Sequence, residues 1–391
     1  MMKTPVRDFF SLPAADARRA LEELPAALDA VLPLKTAHRR ELPAAVQELS
    51  ARLTSERGGN ERPYWSVPRL ASAYLRYFLP WNLLRLIRLL GALELPEPPD
   101  DPRPLLLDAG SGPLTLPLAL WLARPQWRTL PLDVACLDTS PRALELGRAL
   151  FTRLSGEKSP WRIISVRAGI NAPGWRVGGR PWLISAVNLL NELKTERAPL
   201  GVRPAAAFAQ RAARLLHPRG ALLCVEPGTR LGGKLVQSLR EEALALGLAP
   251  VQPCPHAQPC PLQGTGSWCH FSLSVQGAPG WLAHLAQAAH LSKKDLHLAW
   301  MLLQKQAAPG LPASRGGEEA VLQARVLSAP FKLPGARGLA RYACSARGLL
   351  LLTQAADAPS GALIEVPWPA QPRRDERSGA WILELQAVPD K

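Results

Sequence analysis

Along the first hundred residues apolar positions return at intervals of three and four with charges between them, which is the period of an amphipathic helix. The pattern predicts helices over 14–32 and 39–53, the first closed by Pro33. A Gly58-Gly59-Asn60 turn then leads through Arg62-Pro63-Tyr64-Trp65 to a third helical stretch over 67–93, with a kink expected near Pro80. The acidic, proline-rich segment 94–104 has no period and marks the first boundary.

From Leu105 the pattern changes to short, fully apolar runs. Leu105-Leu106-Leu107 ends in Asp108, turns through Ala109-Gly110-Ser111-Gly112 and enters a second apolar run to Leu122. A buried strand that turns on glycines into a helix is how a doubly wound sheet begins, with the helix N-terminus and bare backbone facing a ligand. A second such strand, 133–137, ends at Asp138 and feeds a helix over 142–154, so Asp138 is placed to accept hydrogen bonds from ribose hydroxyls. Further strands at 162–166, 182–187 and 221–225, with helices between them such as 204–216, imply a parallel sheet. The stretch 280–303 reads as a last helix with a basic face at Lys293, Lys294, His297 and Trp300. After a Pro/Gly linker at 308–317, short strands at 321–327, 339–344, 349–353, 363–366 and 381–385 form a small β appendage. The expected division is therefore a helical region 1–100, an α/β domain 104–275, a helix and linker 276–317, and a basic β appendage 318–391.

The chain has 391 residues, 47% of them hydrophobic, enough for a sizeable core and for two or three domains. Its net charge of +15 changes the picture more, because basicity carried chiefly by Arg points to nucleic acid. A merely solvated basic surface is the competing reading. Within the appendage, Arg325, Arg337, Arg341 and Arg347 are the candidates for phosphate contact. The longest apolar run, 73–93, is interrupted by Arg76, Arg85 and Arg88, so no membrane partner is expected. Asp8, Asp16, Glu22 and Glu23 come too early for an acid-poor transit peptide, which makes the cytoplasm the expected compartment.

Six cysteines remain to be placed. Cys136 and Cys224 sit inside apolar runs, where a thiol behaves as a small core residue. Cys254, Cys260 and Cys269 fall within 253–271, among Pro253, Pro255, Pro259 and Pro261, and Cys344 lies far along the chain. Prolines forbid helix or central strand there and favour a stiff loop, so these four thiols form a candidate metal site. Zinc suits four thiolates, with His256 and His270 as alternative ligands. The C-x5-C-x8-C spacing is neither a short zinc knuckle nor a common ferredoxin run and decides between the metals no further.

The strand-and-loop layout resembles a class I (Rossmann-like) S-adenosylmethionine-dependent methyltransferase. NAD is the competing cofactor, disfavoured by the acid ending the first strand and the incomplete G-x-G-x-x-G. In the methyltransferases the loop of Asp108, Gly110 and Gly112 would hold the methionine part of the cofactor and Asp138 the ribose. The segment from Asn188 through Asn191 and Glu192 would face the methyl group. Joined to Val225-Glu226-Pro227-Gly228 and the cysteine block, the chain from about residue 60 to 350 resembles the methyltransferase-like family of small-ribosomal-subunit assembly proteins of bacteria and mitochondria. That resemblance implies a 4Fe-4S cluster on Cys254, Cys260, Cys269 and Cys344, binding to small-subunit rRNA alongside ribosomal proteins as a monomer, and a role in subunit assembly and translation. Two features depart from the family: Leu114 stands where a further glycine is usual, which would narrow the pocket, and no Asn-Pro-Pro-aromatic segment follows the fourth strand. Two alternatives stay open, an active rRNA methyltransferase with a purely structural cluster and a zinc-stapled RNA-binding module without cofactor.

Overall fold

The structure, a computed structural model, describes residues 8–54, 63–170, 172, 175, 177–193, 202–305, 321–334 and 338–385. The helical start comprises α1 (Ala15–Val31), α2 (Thr36–Thr54), α3 (Pro68–Ala73) and α4 (Leu79–Ala92), with a π-helical turn, Tyr74–Phe78, joining the last two. There follow β1 (Leu105–Ala109), α5 (Thr115–Ala123), β2 (Asp133–Asp138), α6 (Pro141–Ser155), β3 (Arg162–Arg167) and β4 (Leu183–Val187). Next come α7 (Val202–Leu215), β5 (Ala221–Pro227), α8 (Arg230–Ala245), β6 (Ala249–Gln252), β7 (Phe271–Ser274), α9 (Gly280–Ala288) and β8 (Asp295–Gln304). The chain ends in β9 (Val321–Val326), β10 (Phe331–Lys332), β11 (Leu339–Ser345), β12 (Gly348–Thr353), β13 (Leu363–Pro367), β14 (Arg373–Arg374) and β15 (Trp381–Glu384). No helix among the described residues is long and apolar enough to cross a membrane.

Contacts divide the chain into two units. The first is Ser11–Lys194 with Ser274–Leu296; the second is Met1–Phe10, Thr195–Leu273 and His297–Lys391. In the first unit, four strands run parallel in the order β3-β2-β1-β4. All five residues of β1 are buried, as its apolar run requires. In the second unit, β8 runs antiparallel to β5 on one side and to β6 on the other. The parallel order 3-2-1-4 in the first unit, and in the second a reversed strand between the fifth and sixth, are each strand arrangements of a class I methyltransferase. The appendage is a separate sheet of the second unit, β13-β9-β11-β12-β15-β14 with β10 beside β11. Its core is Ala324, Val326, Ala343, Leu350, Leu352, Ile364 and Val366.

One expectation needs correction. The helix expected over 280–303 ends at Ala288, and the rest of that stretch is β8. Residues 298–303 are six consecutive buried positions, the signature of a strand covered on both faces, and His290, with φ 52, has already turned the chain. Lys293, Lys294, His297 and Trp300 therefore share no helix face, and Trp300 is fully buried with Phe9 stacked 5.5 Å away. The cysteine block follows β5 and α8, with the short strand β6 leading directly into it.

Within α1 the buried residues Ala17, Leu21, Leu24 and Leu28 keep the helical spacing, yet Pro25 interrupts the ladder. A proline has no N–H for the carbonyl four residues back, which here belongs to Leu21. The indole of Trp281 on α9 donates to that oxygen at 3.1 Å. Trp281→Phe is expected to destabilise the protein by about 1–2 kcal/mol, the cost of a buried carbonyl left without its partner. In a Pro25→Ala background, where the restored backbone N–H can bond the Leu21 carbonyl, the same change should cost markedly less; equal costs in both backgrounds, read from urea unfolding, would remove this account.

Candidate functional site

Strand β1 delivers the chain to a loop that only particular residues can make. Gly110 has φ 68, and a Cβ there would lie 2.6 Å from Leu189 Cδ1, so neither conformation nor space admits a side chain. Gly112 has φ 52 but open space on its Cβ side, and this bare backbone borders a cavity of about 290 Å³. The Gly112 N–H donates to Asp138 Oδ2 at 2.8 Å, while Asp138 Oδ1 accepts from Ser140 N at 2.8 Å. Ser140 in turn caps α6 through Ala143 N. Burial raises the pKa of Asp138 against these hydrogen bonds. The remaining wall includes Thr139, Gly169 and, at the tip of β4, Asn188, Leu189 and Glu192. Asn188 adopts φ 53, a conformation asparagine tolerates, and its buried Oδ1 has no hydrogen-bond partner among the described residues.

Three points about this cavity depart from what the sequence suggests. Asp108 does not line it. Its register partner in β4 is Ser185, whose hydroxyl donates to Asp108 Oδ1 at 2.7 Å beneath the loop, and the side chain is 1% exposed. Leu114 does not narrow the cavity either. It takes the left-handed conformation itself, φ 58, and is fully buried with its Cδ1 against α6 at Gly147. Third, Tyr64, Trp65 and Tyr74 also line the cavity, which no period or motif in the sequence singled out. Tyr64 stacks on Tyr74 at 5.6 Å, and the π-helical turn that begins at Tyr74 sets that ring's direction. Burial, and next the Glu192 carboxylate, push both tyrosine hydroxyls well above their usual range.

In the second unit the four singled-out thiols, Cys254, Cys260, Cys269 and Cys344, line one small cavity of about 20 Å³ with Arg240 and Arg325. Cys136 and Cys224 are fully buried in β2 and β5, as core thiols. Burial raises all four lining thiols, and at Cys269 and Cys344 the neighbouring thiols add to it, while Arg240 opposes it. His256 Nε2 lies 3.4 Å from Cys344 Sγ, and burial pushes that imidazole down to about 4. Among the described residues no three His, Cys, Asp or Glu side chains converge as a mononuclear metal site would have them do.

The arginines depart from expectation. Arg240, 1% exposed, donates through Nη2 to His256 O and Gln258 O, and its guanidinium also engages the Cys254 thiol. Arg325 and Arg341, expected to face RNA, are buried. Arg325 donates to Pro253 O and Gly361 O, and Arg341 to Ser328 O and Ala355 O. Their forks are engaged by carbonyls inside the unit and are not presented to a phosphate. Arg347 is half-exposed, and Arg337 lies outside the described residues.

Among known proteins, the family model of the mitochondrial small ribosomal subunit protein Rsm22 matches residues 69–330. No curated protein matches the chain. Solved structures that resemble it include a methyltransferase from Pyrococcus furiosus, at 13% identity over 68% of this chain and 98% of that one, TM-score 0.34. Another is the magnesium protoporphyrin IX methyltransferase of Synechocystis PCC 6803 with bound SAH, at 11% identity over 69% of this chain and 99% of that one, TM-score 0.35.

The buried carboxyl of Asp108 generates a pH dependence. Burial, opposed by the Ser111 and Ser185 hydroxyls, pushes it up to about 7 from 3.8, so the folded state prefers the neutral acid. The stability this group contributes is complete below pH 3.8 and is lost as pH rises through 7. Asp108→Asn should thus gain on the wild type by roughly 2–4 kcal/mol between pH 4 and 8. Parallel curves for the two proteins in denaturant titrations across that range would contradict it.

Proposed function

The chain belongs to the family of the mitochondrial small ribosomal subunit protein Rsm22, and we propose that it is a small-subunit assembly and translation factor that binds S-adenosylmethionine, carries a 4Fe-4S cluster and contacts small-subunit rRNA. The observation that carries the cluster is the donor set. Four thiols from a proline-stiffened loop and from β11 border one cavity in which two guanidiniums, Arg240 and Arg325, are buried. A cubane on four thiolates bears a net charge of about −2, which would balance the two buried cations, whereas neutral thiols would leave both charges without a counter-charge in the cavity.

The first cavity fits the nucleoside cofactor by the same test. Gly112 leaves a cradle of bare backbone, Asp138 offers a carboxylate to ribose hydroxyls, and Asn188 brings an unpartnered buried oxygen. When bound, S-adenosylmethionine supplies an electrophilic methyl group. The chain's own contribution is to hold the ribose at Asp138 and to face a cation with the tyrosine rings and the Glu192 carboxylate. No side chain here is assigned as a catalytic base.

Anaerobically prepared protein should contain iron and sulfide and absorb broadly in the visible, and Cys260→Ser should abolish both signals. Stoichiometric zinc without iron would replace the cluster by the stapled-module alternative. Calorimetry should show Asp138→Ala weakening S-adenosylmethionine by about 1.5–3 kcal/mol, the loss of hydrogen bonds to a charged acceptor. A wild type that binds no cofactor would reduce the cavity to a scaffold.

A further inference from the structure

On the appendage sheet, Arg374 of β14 lies directly across from Trp381 of β15, and its guanidinium sits 4.0 Å over the indole. Trp381 meets Trp368 edge to face, their centroids 5.4 Å apart. Arg347 covers Trp368 at 4.4 Å, and its carbonyl accepts from Trp381 Nε1 at 3.2 Å. Arg347 stands in the tight turn between Ser345 of β11 and Gly348 of β12, and Trp368 directly follows β13. Four separated positions thus build one stack, Arg374–Trp381–Trp368–Arg347. Both indoles pack against the hydrophobic core of the appendage, which anchors the stack.

Arg373 and Arg374 are exposed, and no ion pair involves Arg347, Arg373 or Arg374 among the described residues. The adjacent Asp375 is occupied by its own turn, accepting from Ser378 N at 2.8 Å and from Ser378 Oγ. A guanidinium lying flat on an indole loses rotamer freedom before any ligand arrives, and its N–H edges stay directed outward. That fork matches two oxygens of a phosphate. Because the guanidiniums already lie against the indoles, bases find little ring surface to stack on, and the contact suits a backbone.

We propose that this Arg–Trp ladder is a phosphate-backbone binding surface for single-stranded RNA, an inference that rests on the rRNA binding proposed above. A flexible strand can bring successive phosphates to two fixed forks, which a rigid duplex of set spacing does less readily. The ladder takes over the contact that Arg325 and Arg341 are buried too deeply to make.

The test is fluorescence anisotropy of a labelled uridine 20-mer with the cluster-loaded, full-length protein at several salt concentrations. Arg347→Gln/Arg374→Gln should weaken binding about tenfold and lower the salt slope by about 1.4, or 0.7 for each phosphate released from a single strand. Trp368→Leu keeps every charge but frees Arg347, and should also lose affinity when compared with the wild type well below the variant's lowered melting temperature. Unaltered affinity and slope in the arginine variant, with a wild type that binds, overturn the ladder and leave the rRNA reading standing. A wild type that binds neither the 20-mer nor small-subunit rRNA overturns both. If phosphatidylserine vesicles bind through the same two arginines and displace the RNA, the surface is a membrane contact and the proposal fails.

Discussion

The buried guanidinium of Arg325 is the constraint around which the second unit is arranged. A charge taken out of water has to be surrounded by oriented dipoles, and this one donates to Pro253 O in the cysteine loop and to Gly361 O in the appendage. Its carbon end lies over the Phe9 ring at 5.5 Å, and its register partner across β9 and β11 is Cys344. One side chain therefore fixes the loop, the appendage and the N-terminal aromatic segment to the neighbourhood of the fourth thiol. Replacing it by an apolar residue would leave two carbonyls without donors, so the position tolerates little besides arginine.

The first unit depends on backbone conformation more than on charge. Gly110, Gly112 and Leu114 all take positive φ within five residues, and this sharp reversal turns β1 into α5. Leu114 takes that conformation against the preference of a branched side chain. Its full burial beside Gly147 supplies an apolar anchor where a glycine would have none. The loop is thus held open on its Gly112 side and pinned on its Leu114 side.

The periods of the sequence placed the early helices and the strands of the parallel sheet because each was either amphipathic over several turns or short and wholly apolar. They failed at 295–304, since a strand buried on both faces and a buried helix have the same composition. That Cys254, Cys260, Cys269 and Cys344 stand apart from the two core thiols was legible from their polar or proline-rich surroundings, and the structure sets all four on the wall of one cavity. The fate of Arg325 and Arg341 was not, because an arginine in a short strand reads alike whether its fork meets a phosphate or a carbonyl. Asp108 misled for a related reason: an acid at a strand end points to a ligand only if its register partner does not claim it first, and Ser185 does.

The insertion of β8 between β5 and β6 sets an order on the making of the protein. Its residues leave the ribosome after both of the strands they join. Until then β5 and β6 cannot be bridged by β8, and the cysteine loop that follows β6 is tethered to an unfinished sheet. Cys344 emerges later still. A nascent chain therefore carries three of the cavity's thiols before the fourth exists, and the wall of that cavity can close only once β11 has been made and paired.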